Sequence, residues 1–387
     1  MRQFLRGVLF LALMSLFIAG AVQAQLVFSE PSGADLPGSE NAAPRLVAGP
    51  YVQNVSASSA TIMWQSDGPS TAELVVRDGG CRESYRTSRQ RRLGEVHIGK
   101  LLPDTEYSYT LTVAGKRAEG RFRTFPVADR PIAFVVYGDT RTNPAHHREV
   151  TNAIARDLGI EFVLHTGDLV SDARNLEHWI PQFFEPAARL IRSVPVFAVL
   201  GNHERNSPNY FTYLSLPGNE RWYSFDAGEV HVIALDSNLS FDPGSEQYKW
   251  FVSDLTRHKS ARWKFVFMHH PTYSSGPHGA CSAEGLPNEA PTRTAQAILP
   301  GLAKQFGIAA VFAGHDHDYE RSLHDGVSYI VTGGGGAPNY ADPNAKCNPY
   351  RKVFYSGIHY CVVAVDGNRA RMIVKTPTGK VIDRTEL

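Results

Sequence analysis

The sequence predicts two folded parts in series: an all-β sandwich, then an α/β (α+β) domain of buried strands with flanking helices. Three observations predict this. Short segments between Leu46 and Phe125 alternate polar with apolar residues, as strands with one wet face do. From Ile132 onward the pattern changes to continuous apolar runs separated by helix-like stretches, which suits strands buried on both faces. Between the two, Pro126 to Pro131 reads as a linker.

In the first part, Thr61-Ile62-Met63-Trp64-Gln65 alternates, and Trp64 belongs in the core. A strand follows the Gly68-Pro69-Ser70 turn over residues 71–76, and residues 107–113 and 121–125 alternate again. The stretch Leu101-Leu102-Pro103-Asp104-Thr105-Glu106-Tyr107 resembles the turn before the tyrosine strand of fibronectin type III domains. Residues 44–126 are therefore expected to form a fibronectin type III-like domain, and residues 131–387 the second domain. There, strands are expected over 132–137, 162–165, 196–200, 230–235, 263–268, 309–312 and 327–331, with more between 360 and 382. Helices are expected near 149–158 and 178–191. His146 and His147, placed at a helix start, are expected to be solvated.

Charge excludes some functions. Lys and Arg number 39 against 38 Asp and Glu, a net charge of +1, which gives no bulk reason to bind nucleic acid or a charged membrane. Residues 1–24 read as a signal peptide: Arg2 and Arg6, an apolar run from Val8 to Val22, then small residues at Val22-Gln23-Ala24. That run is short for a membrane span, and no later segment is apolar enough for one, so the expected location is secreted or periplasmic. Residues 25–43, rich in Ser, Gly, Pro, Glu and Ala, read as a flexible lead-in. Of Cys81, Cys281, Cys347 and Cys361, none sits in a C-x-x-C pair. Cys281 and Cys347 lie in Gly/Pro/Asn-rich loops and are the expected disulfide, whereas Cys361 lies in an apolar run and is expected to be a buried thiol.

Five motifs follow directly after expected strands: Gly138-Asp139-Thr140, Gly167-Asp168, Gly201-Asn202-His203-Glu204, Met268-His269-His270 and Gly314-His315-Asp316-His317. Taken singly each is weak, since a lone Gly-Asp is usually a turn and a lone His usually a satisfied core or surface residue. Together they converge, because strand ends in α/β sheets share one crevice. The preceding glycines allow sharp turns and close approach. Carboxylate, amide and imidazole donors without thiolate suit iron, zinc or manganese. A bridging carboxylate holds two such ions about 3.5–4 Å apart, the spacing that serves phosphoryl displacement. Gly333 to Gly336 has no Lys-Ser or Lys-Thr after it, so it is no nucleotide loop; it is expected to pass backbone close to the crevice. Asp236, at a strand end, is expected to be structural.

These motifs, in this order and ending in Gly314-His315-Asp316-His317-Asp318-Tyr319-Glu320-Arg321, resemble the calcineurin-like metallophosphoesterases, and most closely the purple acid phosphatase branch. That branch also carries a β-sandwich ahead of its catalytic domain. The resemblance implies a metallophosphoesterase β-sandwich with flanking helices and a site of two divalent or trivalent ions. Asp139 and His317 would bind the first metal, Asn202, His269 and His315 the second, and Asp168 both. His270 is the alternative to His269. Two positions depart from the family pattern. Ser171 stands where the purple branch has a tyrosine ligand, and Arg141 stands where many relatives have a metal-binding histidine.

The implied reaction is phosphoester hydrolysis by metal-activated water, with a phosphate monoester as the small-molecule substrate. His203 and His278 are the candidate phosphate contacts, one of them the general acid. Arg141 is a candidate bidentate phosphate clamp. The rivals are a phosphodiesterase on nucleotide or phospholipid-type diesters, and a non-catalytic binding protein with a vestigial metal site.

Overall fold

The computed structural model describes residues 44–387 apart from 79, 81, 88, 89 and 342–344. The expected signal peptide, the lead-in and Cys81 fall outside the described residues.

Seven strands come first among the described residues: β1 (Leu46–Gln53), β2 (Ala60–Ser70), β3 (Ala72–Arg77), β4 (Arg82–Arg86), β5 (Arg91–Ile98), β6 (Glu106–Val113) and β7 (Lys116–Arg123). They form two antiparallel sheets, ordered β1-β2-β5 and β4-β3-β6-β7, which fits a fibronectin type III-like sandwich. Alternation does what the sequence implied: Tyr107, Tyr109 and Leu111 of β6 are buried while Glu106 and Ser108 are exposed. Trp64 is in the core, at 2% exposure.

The second part is two sheets face to face. Its strands are β8 (Ile132–Tyr137), β9 (Ile160–His165), β10 (Val196–Ala198), β11 (Tyr223–Ala227), β12 (Val230–Ala234), β13 (Trp263–Phe267), β14 (Ile308–Ala313), β15 (Tyr319–His324), β16 (Val327–Thr332), β17 (Arg351–Tyr355), β18 (Tyr360–Asp366), β19 (Arg369–Lys375) and β20 (Val381–Glu386). One sheet runs β10-β9-β8-β18-β19-β20 and the other β11-β12-β13-β14-β16-β15-β17. Within them β8, β9 and β10 are parallel, as are β12, β13, β14 and β16. The sheets meet through aromatic rings, Phe134 of β8 lying 5.3 Å from Phe265 of β13. Phe162-Val163-Leu164 of β9 and Phe265-Val266-Phe267 of β13 are apolar and buried on both faces, as strands covered on each side are.

The helices are α1 (Pro144–Ile154), α2 (Leu176–Trp179), α3 (Glu185–Ile191), α4 (Pro208–Tyr213), α5 (Glu246–Arg257) and α6 (Ala290–Phe306). The helix expected at 149–158 is α1, which begins earlier because Asn143 caps it and Pro144 starts it. The helix expected over 178–191 is α2 and α3 joined by a π-helical turn, Ile180–Phe184. Pro181 and Pro186 supply no amide hydrogen, so the regular ladder is interrupted there. His147 is not solvated. It is fully buried, with Nδ1 2.8 Å from the Gln182 carbonyl and Nε2 3.2 Å from the Tyr137 hydroxyl, and burial pushes its pKa down to about 4.

The sandwich and the second part share one core. Phe125 packs on Phe162 at 5.5 Å, Phe225 at 5.9 Å and Phe197 at 6.1 Å. The Tyr51 hydroxyl donates to the Tyr213 carbonyl at 2.9 Å, and the Tyr109 hydroxyl to that of Arg192 at 2.7 Å.

At the far edge of the larger sheet, His231 is buried between Asp226 (Nδ1–Oδ1 2.7 Å) and Asp254 (Nε2–Oδ2 2.8 Å), with His258 stacked on it at 3.9 Å. Burial pulls its pKa down, but the two carboxylates outweigh burial and the net shift is upward. A raised folded-state pKa stabilises the protein fully below the unfolded value of about 6.5, and that contribution is lost as pH rises through the folded value. The melting-temperature gap between the wild type and His231→Gln should therefore narrow as pH rises above about 6.5. A gap independent of pH would show that His231 does not carry the proton.

Candidate metal centre

Each of the five motifs begins where its strand ends, β8, β9, β10, β13 and β14 respectively, and all five meet at one edge of the sheet pair. Asp139, Asp168 and His315 hold left-handed backbone, with φ of 57°, 57° and 72°. Non-glycine residues adopt this region at a cost of about 1 kcal/mol or more, and such residues gather at functional sites. The preceding glycines serve mainly a steric purpose. A Cβ at Gly201 would strike the Asp168 carboxylate, and one at Gly314 would strike that of Asp139. Gly333 is alike: a Cβ there would lie 2.9 Å from Asp139 Oδ2, so the glycine run passes close behind the site as expected.

The donors come in a definite arrangement. Asp139 and Asp168 are buried, at 0% and 1% exposure. Burial, and then the Asp168 charge, push the Asp139 pKa well up. Burial also acts against ionised Asp168, but His269 and His203 hold its pKa low. His269 Nδ1 lies 2.9 Å from the Thr166 carbonyl, so that nitrogen carries the hydrogen and Nε2 keeps its lone pair. Nε2 faces Asn202 Oδ1 at 2.9 Å, His315 Nδ1 at 3.1 Å and Asp168 Oδ1 at 3.6 Å. His315 spends Nε2 on Glu289 Oε2 at 3.0 Å, which leaves Nδ1 as the lone-pair nitrogen. His317 donates from Nδ1 to the Pro338 carbonyl at 2.8 Å, so its Nε2 faces Asp139 Oδ1 at 3.7 Å and Arg141 Nη2 at 3.2 Å. The six predicted ligands thus stand together.

The other predicted residues surround them. The His203 amide donates to Asp168 Oδ1 at 2.9 Å; its Nδ1 donates to the Ser171 carbonyl, and Nε2 is 3.9 Å from Asp168 Oδ2. Ser171 Oγ donates to Gln182 Oε1 at 3.0 Å. The His278 ring packs tilted against that of His315 at 3.8 Å, and its Nδ1 lies 2.7 Å from Glu289 Oε1. The bond to Glu289 raises the His278 pKa against its burial. Arg141 Nε donates to Asp168 Oδ2 at 3.2 Å. His270 is engaged with Ser237 Oγ at 2.8 Å, yet its ring is 4.5 Å from that of His315. Asp236 accepts from Asn238 and organises a turn rather than the site.

Sequence reasoning missed two carboxylates. Glu204 accepts from the amides of Gly201, Asp168 and Leu169 at 2.6, 2.8 and 2.9 Å, and so pins two motif loops together. Its place directly after Asn202-His203, three residues past Gly201, is the available signal. Glu289 bridges His278 and His315. It lies in an otherwise unremarkable loop, and nothing in the sequence marks it. That loop is tied down by the disulfide Cys281–Cys347, the pair expected; Cys361 is a buried free thiol.

The family described as calcineurin-like phosphoesterase matches residues 132–319. The chain carries a calcineurin-like metallophosphoesterase domain. Residues 43–124 match a family described only as a domain of unknown function. "Probable purple acid phosphatase 20" of Arabidopsis thaliana is 29% identical over 317 residues, covering 73% of this chain and 70% of that protein. "Purple acid phosphatase 18" of the same plant is 30% identical over 307 residues, covering 70% of this chain and 65% of its own length. Among solved structures, purple acid phosphatase PPD1 from yellow lupin superposes with a TM-score of 0.74 at 19% identity, covering 89% of this chain and 74% of that one. The phosphoesterase is thus of the phosphoric ester hydrolase class, and its family implies a metal cofactor.

The donor set fits a cation. Asn202 Oδ1 and His315 Nδ1 both present lone pairs to the lone pair of His269 Nε2 at hydrogen-bond distance, and the described residues supply no hydrogen between them. Two facing buried carboxylates likewise need a positive charge between them to ionise together. Asp139, Asp168 and His269 form one group able to hold an ion, and His269, His270 and His315 another. Replacing Glu289 by Gln removes the charge that orients His315 and His278. Zinc affinity, measured by chelator competition, should fall by roughly 10–100-fold, the usual cost of losing a carboxylate behind a ligating histidine.

Proposed function

We propose that this chain is an exported phosphomonoesterase that uses two metal ions to hydrolyse a small phosphate monoester. One observation carries the reading: lone pairs from Asn202, His269 and His315 converge beside a buried Asp139–Asp168 pair, an arrangement that two cations would satisfy. In this reading Asp139, Asp168 and His317 would hold the first ion, and Asp168, Asn202, His269 and His315 the second. Iron, zinc and manganese all suit such oxygen and nitrogen donors. Ser171, already bonded to Gln182, brings no tyrosinate, so no charge-transfer colour is expected.

When bound, the ions supply a water acidic enough to attack at neutral pH and offset charge on the phosphoryl oxygens. The protein's side chains do the rest. His203, its Nδ1 fixed on the Ser171 carbonyl, presents Nε2 to the substrate side. His278, held by Glu289, flanks the opposite side. Both contact phosphate oxygens, and one returns a proton to the leaving oxygen. Arg141 adds positive charge at the same edge. The disulfide supports an oxidising compartment, secreted or periplasmic. Among the described residues no helix is long and apolar enough to cross a membrane. Residues 44–126 serve as a fibronectin type III-like domain and residues 131–387 as the catalytic one. A net charge of +1 gives no bulk attraction for nucleic acid and favours a small substrate.

The test pairs a variant with a substrate panel. Asp168→Ala should lower kcat on p-nitrophenyl phosphate by at least about a thousandfold, since it removes the carboxylate shared by both ions. Retained turnover would place the activity elsewhere. Faster hydrolysis of bis(p-nitrophenyl) phosphate than of the monoester would replace the monoesterase reading by a diesterase one.

A further inference from the structure

We propose that Arg141 is a built-in cation at the first metal position, so that this chain takes up its two ions unequally. The inference rests on the two-metal reading and deepens it.

The two halves of the donor set differ in one respect. On the second-ion side, Asn202 Oδ1 and His315 Nδ1 both face His269 Nε2, and no described N–H or O–H donates between them. An ion entering there displaces nothing. On the first-ion side, a charged side chain already holds two of the three donors. Arg141 Nε donates to Asp168 Oδ2 at 3.2 Å, and Nη2 to the lone pair of His317 Nε2 at 3.2 Å. Which nitrogen of His317 holds the lone pair is fixed by its other bond, from Nδ1 to the Pro338 carbonyl. The guanidinium therefore occupies the place of a cation between Asp168 and His317. It cannot lose its proton to make way.

The backbone makes this placement specific. Arg141 sits two residues past Asp139, and its amide donates to the Asp168 carbonyl at 3.3 Å. The side chain reaches the rim: it is 17% exposed, and its remaining bond, Nη1 to Thr142 Oγ1, is 3.4 Å long. An ion entering the first position must break two charge-assisted hydrogen bonds and push a like charge outward. Once displaced, the guanidinium is available to phosphate oxygens at the rim. The same residue then acts twice: as a stand-in cation while metal is scarce, and as a phosphate contact when both ions are bound.

The experiment is a chelator-competition titration of metal-free protein with zinc, comparing wild type, Arg141→Gln and Arg141→Lys. The wild type should show two dissociation constants separated by at least roughly tenfold. Arg141→Gln should tighten the weaker one by at least about tenfold, because it removes a like charge from that position. The tighter constant should not move. Arg141→Lys keeps the charge but cannot span both donors, so it should tighten the weaker constant less than Gln does. Equal constants in the wild type, or a weaker constant unchanged in Arg141→Gln, would overturn this inference and leave the two-metal reading standing. Wild type that binds no ion would overturn both. Elemental analysis of wild type dialysed against limiting chelator reads the same asymmetry without any variant: one retained ion per chain supports it, and two equally retained ions oppose it.

Discussion

Two carboxylates buried within one crevice, Asp139 and Asp168, set the terms for everything around them. Apolar surroundings resist both charges, and each resists the other. Such a pair persists only if positive charge or amide donors are brought to it. The fold brings both. The amides of His203 and His315 donate to the two carboxylates, and Arg141 donates to Asp168. The Glu204 carboxylate holds the Asp168 loop by accepting from the backbone amides of Asp168 and Leu169. The left-handed turns at Asp139, Asp168 and His315 are the local cost of aiming three side chains inward from three separate strands.

The histidines obey the same logic one bond further out. Each predicted imidazole ligand gives its second nitrogen to a fixed acceptor: the Thr166 carbonyl for His269, Glu289 for His315 and the Pro338 carbonyl for His317. The acceptor decides which nitrogen is bare. Burial pushes the His269 pKa down to about 4 and that of His317 to about 3, so both rings are neutral donors in ordinary buffers.

What could be read in the sequence follows from locality. The motifs were legible because each is a polar step directly after an apolar run, and a strand end is a local event. Alternation in residues 107–113 announced a one-sided strand for the same reason. The disulfide partners lay in two loops with few other roles. What escaped acts across space. Glu289 matters because a 17-residue helix, α6, starts beside His315, and no spacing rule connects residues 289 and 315. The helices α5 and α6 themselves were not announced; buried polar residues such as Gln247, Asp254 and Thr292 break up their apolar faces. His147 looked like a surface residue because its partners, Tyr137 and Gln182, come from other elements.

The aromatic seam at Phe125 has a consequence for how the protein is put together. Phe162, Phe197 and Phe225 belong to the hydrolase half, but the side chain that covers them arrives from the end of the sandwich. The sandwich is therefore no interchangeable module strung ahead of an autonomous enzyme. Cut away, it would leave a greasy wound on its neighbour, and the two halves share a common fate when heated.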